Sequence, residues 1–240
     1  MAHPNVGKDA RRLTISVVCI VRNGEEYLEA ALRSVFVSTY PVREVLVVDG
    51  GSTDRTAEIA ADMGARVLPQ RSTGIAAAYN EGIRATRGDC VAFISHDDLW
   101  HPMKLEKQAA FLTQNPSVQI CVSHVRHVLE GQAAPAGFRQ ELLDQSVPGM
   151  IMEALVARRE AFDRVGSFDP AFSVSNDTDW FARARDRGLA IAVLPETLVI
   201  KRVHSASTTL KPEGFSQQLL DVVRASVARK RSRIPKEALP

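Results

Sequence analysis

The sequence predicts an α/β protein whose sheet is largely parallel and carries helices on both faces. Two observations carry this. In the first half of the chain a β-branched apolar run is followed three times by apolar residues at helical spacing, the alternation that builds β-α units. Those runs also stop at polar, Gly- and Asp-bearing turns. In a parallel sheet such turns share one edge, the carboxyl edge where open α/β sheets bind ligands.

Thr14 to Val21 is a run rich in β-branched residues that reads as a buried strand. After Arg22-Asn23-Gly24, the stretch Glu25 to Val37 places Tyr27, Leu28, Ala31, Leu32 and Val35 on one helical face. Val42 to Val48 is the second strand, ending at Asp49-Gly50-Gly51-Ser52. Thr56 to Met63 is the second helix, with Gly64 as its stop. Ala65 to Leu68 is a short third strand and Gly74 to Ala85 the third helix. The run Cys90 to Ile94 then leads through Ser95-His96 into the adjacent carboxylates Asp97 and Asp98. Beyond Trp100 the expected order is a helix over Lys104 to Asn115, a strand over Val118 to Leu129 and an irregular segment over Gly131 to Gly149. A strand start from Met150, a helix over Arg158 to Arg164 and a helix over Asp177 to Arg187 follow. One or two strands around Pro195 and a helix over Phe215 to Arg231 complete the chain.

The length suits one substantial domain with a full core. Thirty basic against 28 acidic residues are too balanced to point to nucleic acid, so no nucleic-acid partner is expected. The three cysteines, Cys19, Cys90 and Cys121, lie in apolar segments without metal-ligand spacing and read as reduced and buried. Met1 to Arg12 lacks the apolar core of a signal peptide, and no run approaches the ~20 residues that span a bilayer. A cytoplasmic location is expected.

Three strand ends gather the chemistry: Arg22-Asn23-Gly24, Asp49 to Asp54, and Ser95 to Asp98. Together with Tyr27-Leu28, Gly74 and Asn80-Glu81-Gly82, Ala85 to Gly88, and the late Asn176-Asp177-Thr178-Asp179-Trp180 with Arg183, they follow one pattern from about Ile15 to Ser207. In that order and spacing the chain resembles a family-2 glycosyltransferase. The resemblance implies the GT-A fold, a Rossmann-like, mainly parallel sheet with a smaller antiparallel acceptor-side portion. It places one such domain over 13–210, with a nucleotide-sugar half over 13–115, an acceptor half over 116–210, and a helix and basic tail over 211–240.

It also implies an inverting transfer from a nucleotide-diphosphate sugar, UDP-sugars favoured, to an acceptor hydroxyl on a carbohydrate, lipid-linked or peptide partner. Donor contacts are expected from Ile20, Arg22, Asn23, Asp49, Gly51, Ser52, Asn80, His96 and Asp97. A cation, Mn²⁺ or Mg²⁺, is expected on Asp97, Asp98 and His204, where it would offset the charge that grows on the leaving diphosphate. Asp177 is the candidate base. The family pattern usually has an acid at the position of Ser95 and a Glu at that of Asn176, so metal dependence is the feature most exposed to these departures.

Bland roles compete at several of these positions. Asp49 can simply close its Asp-Gly turn, and Asp54 suits the cap of the following helix. Asp177 or Asp179 can cap the late helix, and Arg183 pairs by default with Asp179. His96 can be a packing residue. Trp180 reads as core, whereas Trp100 is open between core and a sugar face. The basic end from Arg224, beside Phe215, Leu219, Leu220 and Val223, reads as a solvated helix or as a contact with an acidic membrane surface. Two other functions compete as well: a non-catalytic nucleotide-sugar-binding or partner protein of the same fold, and a nucleotidyltransferase, for which Arg22-Asn23-Gly24 is too short a phosphate loop.

Overall fold

The computed structural model describes residues 12–131, 138–143, 145–204 and 215–232. His3, residues 132–137 and 144 of the irregular segment, Ser205 to Ser207 and the tail beyond Ser232 lie outside the described residues. The elements are β1 (Ile15–Val21), α1 (Leu28–Phe36), β2 (Glu44–Asp49), α2 (Thr56–Asp62), β3 (Arg66–Pro69), α3 (Ile75–Ala85), β4 (Cys90–Ser95), β5 (Leu99–Trp100) and α4 (Lys104–Gln114), then β6 (Ile120–Leu129), β7 (Ser146–Pro148), β8 (Leu155–Arg158), α5 (Arg159–Val165), α6 (Asn176–Asp186), β9 (Ile191–Val203) and α7 (Phe215–Arg231). They form a nine-stranded sheet in the order β3-β2-β1-β4-β8-β6-β9-β5, with β7 paired to β6.

The first four strands in that order are all parallel, as the β-α alternation predicts. Val17, Val18 and Cys19 are fully buried at the centre of β1, consistent with a strand covered on both faces. Register sets the ligand edge: Val21 stands opposite Asp49 on one side, and Ile20 opposite Ser95 on the other. Beyond β4 the sheet is mixed. β8 runs antiparallel to β4 and β6, β6 and β9 run parallel, and β5 closes the edge antiparallel to β9. The antiparallel portion expected on this side is formed by β5, β7 and β8 with their neighbours, while β6 and β9 pair in parallel.

Other differences have local causes. α1 starts at Leu28 because residues 25–27 form a turn, with the N–H groups of Tyr27 and Leu28 both donating to the Gly24 carbonyl. β9 runs unbroken past Pro195, which has no N–H for a ladder, and the β6–β9 register shifts at Ser123 to Val125. β5 and β7 are too short to leave a periodic signal. α3 lies against β1 and β2 at Gly82, where an added Cβ would stand 2.5 Å from Val18 Cγ1. Tyr79, Phe93, Phe162, Phe168 and Trp180 form one ring cluster joining α3, β4, α5 and α6, with centroids 4.9 to 6.0 Å apart.

The three cysteines are buried and free. α7 is fastened to α6 by Asp186, whose carboxylate accepts from Ser226 and Arg229, and it leaves Leu219, Leu220, Val223 and Val227 exposed. Among the described residues no helix is long and apolar enough to cross a membrane.

Candidate donor and cation site at the strand ends

The turns after β1 and β2 are built as one unit. Asn23, the one non-glycine residue with a left-handed backbone among the described residues (φ 53°), accepts the Thr53 N–H on Oδ1 at 2.9 Å, and its own N–H donates to Ser52 Oγ at 2.8 Å. Such a backbone on a residue other than glycine marks a position fixed by its surroundings. Gly51 takes φ 79° so that the second turn can reverse. Asp49 accepts from the Ser52 hydroxyl and, at 3.2 Å, from the Ser52 N–H. Its turn-closing role is therefore present in the structure. Asp54 caps α2, accepting the Thr56 N–H at 3.0 Å and the Thr56 hydroxyl at 2.5 Å. Arg22 is exposed at this edge, while Ile20 is half-buried and packs against the core.

Two predicted donor contacts are otherwise engaged. Both ends of the Asn80 amide are used by the Phe168 backbone, Nδ2 donating to its carbonyl at 2.9 Å and Oδ1 accepting its N–H at 2.8 Å. Asn80 clips α3 to the segment before α6 rather than reaching toward a ligand. The His96 ring fills the space that Gly24 leaves by lacking a side chain; a Cβ there would lie 2.7 Å from His96 Cδ2. Burial pushes the His96 ring below its ordinary pKa, against the pull of Asp97.

The two carboxylates after β4 part company. Asp98, expected beside Asp97 as a cation ligand, is fully buried. It accepts from Lys201 Nζ at 2.8 Å and from the Arg202 N–H at 3.3 Å. In this structure its partner is a strand far away in sequence, and burial still pushes the Asp98 carboxyl up to about 7 against the pull of Lys201. Burial alone would lower the affinity of Lys201 for its proton. Asp98, Glu153 and Asp97 outweigh that and hold the ammonium well above its ordinary range.

Asp97 instead meets His204, Nε2 standing 3.1 Å from Oδ2. Burial would raise the Asp97 carboxyl, but the charges of His96 and Lys201 and the hydrogen bond from His204 hold it below the usual range, so it is an anion at neutral pH. Tyr27 packs on the His204 ring at 4.7 Å between centroids, and the Arg202 guanidinium lies 4.7 Å over the Tyr27 ring. Arg202 Nε also donates to the Asp97 carbonyl.

Asp177 lies in the first turn of α6, accepting the Thr178 N–H at 2.7 Å. Burial pushes its carboxyl up to about 6, and the nearby charge of Glu153 adds to the rise. A carboxyl in that range takes up a proton near neutral pH more readily than an ordinary aspartate. Asp179 is paired to Arg183 at 2.7 Å, the default reading of their spacing. Trp180 is fully buried, as expected. Trp100 is buried too, its indole N–H donating to the Glu153 carbonyl at 3.2 Å and Lys104 Nζ standing 4.1 Å over its ring, which places it in the core rather than at a sugar face.

Glu153 and Lys201 were not singled out from the sequence. Glu153 sits in a short 3-10 turn before β8 and Lys201 within β9, and neither local context points to the partners that the fold brings near.

Among the described residues no three His, Cys, Asp or Glu side chains gather to form a complete metal cage. The donor set nonetheless fits a hard divalent ion: one ionised carboxylate and one imidazole at the strand edge, with remaining positions for phosphate oxygens and water. Such sites are commonly built from one or two protein ligands plus the substrate's phosphates.

Solved structures share this architecture. TarS of S. aureus in complex with UDP-GlcNAc superposes with a TM-score of 0.73 at 20% identity, covering 90% of this chain and 66% of that one. Glucosyl-3-phosphoglycerate synthase from Mycobacterium tuberculosis, in complex with Mn²⁺, UDP and glucosyl-3-phosphoglycerate, gives a TM-score of 0.66 at 25% identity, covering 90% and 80%. Among curated relatives, an uncharacterized protein of Mycobacterium tuberculosis is 31% identical over 208 residues, 80% of this chain and 59% of the relative. An uncharacterized glycosyltransferase of Rickettsia typhi is 29% identical over 210 residues, 81% and 65%. The chain thus spans about three fifths of the length of these relatives. The family model for glycosyl transferase family 2 matches residues 16–168, and the chain belongs to that family, with the GT-A fold.

Proposed function

We propose that the protein transfers a sugar from a UDP-sugar to an acceptor hydroxyl with inversion. The observation that carries this is the meeting of an ionised Asp97 with His204 at the ends of β4 and β9; a half-buried Asp177 at the start of α6, its carboxyl raised to about 6, is the base in this reading. Asp97 and His204 are the residues that would hold Mn²⁺ or Mg²⁺. When bound, the cation would stabilise the negative charge that develops on the departing diphosphate. The likeness to a synthase crystallised with Mn²⁺ and UDP supports this.

The chain's own residues do the rest. The joined turns at Asn23 and Ser52, with Asp49 and the exposed Arg22, form the edge that receives base, ribose and phosphates. Lys201, held protonated, keeps the end of β9 closed on Asp98 so that His204 meets Asp97. Asp177 takes the proton of the attacking hydroxyl, a contribution on the order of 10²–10⁴-fold in such transfers. The acceptor, a carbohydrate, lipid-linked or peptide hydroxyl, belongs to the second half of the chain in this reading.

The test is turnover of a panel of UDP-sugars by the purified protein, with Mn²⁺ and with chelator. The expected result is release of UDP that requires the cation and Asp97. Binding of UDP with no turnover of any donor and acceptor pair would favour the non-catalytic reading, which the serine at position 95 supports. A peripheral membrane contact through α7 rests on the exposed Leu219, Leu220, Val223 and Val227 beside Arg224, Lys230 and Arg231. Failure to sediment with anionic vesicles at low salt would remove it.

A further inference from the structure

Strand β4 ends in a serine, yet a carboxylate reaches that serine from elsewhere in the chain. Ser95 Oγ donates to Glu153 Oε1 over 2.6 Å, across 58 residues of sequence. Glu153 lies in the 3-10 turn Met152–Ala154 that feeds β8, and the residue is 8% exposed. Its carbonyl is held by the Trp100 indole. Its carboxylate stands 3.8 Å from Lys201 Nζ, the same ammonium that meets Asp98 at 2.8 Å.

Glu153 therefore touches both strand ends that build the candidate cation site. It reaches β4 through Ser95, two positions before Asp97, and β9 through Lys201, three positions before His204. Burying a carboxylate is costly, and a neutral glutamine carbonyl would accept the same serine hydrogen bond at less cost. What glutamine would not supply is the second negative charge facing Lys201.

We propose that Glu153 is a positioning residue of the donor site: from the turn before β8 it supplies the carboxylate that β4 lacks at Ser95, and it fixes Lys201 between itself and Asp98 so that Asp97 and His204 meet. This rests on the donor-and-cation reading above. Lys201 has three N–H donors and accepts nothing, so two carboxylates from different elements define its direction better than one. The fixed ammonium then anchors the end of β9 next to the turn that carries Asp97. The charge of Glu153 also faces Asp177, in agreement with the raised carboxyl there.

The test moves the charge rather than only deleting it. In Glu153→Gln the carboxylate is lost. In Ser95→Asp two carboxylates face one another within hydrogen-bond reach. In the double variant the glutamine amide can donate to the new aspartate, which restores one carboxylate, one donor and the same total charge. Four proteins are compared by melting temperature without ligand and by affinity for UDP in the presence of Mn²⁺, measured calorimetrically. Each single variant is expected to weaken Mn²⁺-dependent UDP binding at least tenfold, and the double variant to return within about threefold of wild type.

A double variant no better than the product of the two singles overturns the proposal. So does recovery of melting temperature without recovery of Mn²⁺-dependent affinity, because that leaves Glu153 a structural role only. Glu153→Gln binding as tightly as wild type overturns it as well. Wild-type protein that binds no UDP with Mn²⁺ sinks the donor reading itself and the role of Glu153 with it, a result separate from a failed exchange in a protein that binds.

Discussion

His204 Nε2 lies 3.1 Å from Asp97 Oδ2, so the end of β9 and the turn after β4 meet although 107 residues separate them. One side chain gives a hard anionic oxygen and the other an imidazole nitrogen, both placed by a strand end. Asp97→Asn keeps the volume and removes the charge. It is expected to abolish Mn²⁺-stimulated release of UDP while leaving the melting temperature within a few degrees of wild type. His204→Ala removes a ligand of smaller electrostatic weight. Its Mn²⁺ requirement should rise by on the order of 10–100-fold, with partial recovery at saturating metal. Titration of activity against Mn²⁺ separates the two, and equal metal dependence in all three proteins would dissociate this pair from the cation.

Asp177 makes a pH prediction with a definite sign. Its carboxyl is raised by burial to about 6, and a base works only when deprotonated. Activity limited by the chemical step should therefore rise with pH through about 6 and level off above 7. Asp177→Asn should lower kcat by on the order of 10²–10⁴ and remove that limb. Stability runs the other way. A carboxyl raised on folding favours the folded state while protonated, and that contribution is lost as pH climbs from below 4 through 6. Asp177→Asn is thus expected to be more stable than wild type at pH 8, by on the order of 1–3 kcal/mol, and nearly equal at pH 4. Denaturant midpoints at the two pH values decide this, and a variant destabilised at pH 8 would contradict the burial argument.

The parallel half of the sheet was legible because each of its strands is buried on both faces and reads as an unbroken apolar run. Asn23, Asp97 and Asp177 were legible as polar residues ejected at the ends of such runs or at a helix start. The burial of Asp98 against Lys201 was not legible, because adjacency in sequence hides the fact that neighbouring residues after a strand point in different directions. One faces the edge, and the other faces Lys201. The contact of Asn80 with the backbone of Phe168 was hidden for a similar reason, since that partner comes from across the fold. Glu153 carried one signal in retrospect: a serine where the family pattern has an acid leaves a charge to be found elsewhere. Nothing local pointed to the turn before β8 as its source.

Gly88 and Gly24, like Gly82, are fixed by what an added methyl group would meet. At Gly88 a Cβ would stand 2.6 Å from the Ser16 backbone nitrogen, and the Gly88 N–H already donates to Ser16 Oγ at 2.8 Å. Backbone atoms on a buried strand cannot step aside cheaply, so Gly88→Ala should cost roughly 1–3 kcal/mol and lower the melting temperature by several degrees. At Gly24 the clash falls on Val21 Cγ2 and on the His96 ring, which can shift. Gly24→Ala should therefore lose less stability but displace the residue beside Asp97, and its clearer effect should be on affinity for UDP with Mn²⁺. Equal losses of stability in the two variants would argue against this division.

Lys104 is buried in α4 with Nζ 4.1 Å over the Trp100 ring and 3.4 Å from the Leu155 carbonyl. Burial pushes the ammonium down from 10.5 to about 7, while Cys121 and Glu153 pull the other way. An unfolded lysine keeps its proton to about pH 10. Between the two values the unfolded chain binds more protons, so the contribution of Lys104 to stability grows as pH rises from 7 toward 10. Lys104→Met fills the same space with no charge to desolvate. The difference in stability between wild type and this variant should favour the methionine at pH 7 by on the order of 1–4 kcal/mol and shrink toward zero by pH 9.5. Urea unfolding at both pH values measures the difference directly. A difference independent of pH would mean that Trp100 and Leu155 hold the ammonium charged throughout, and that the cation–ring contact outweighs burial.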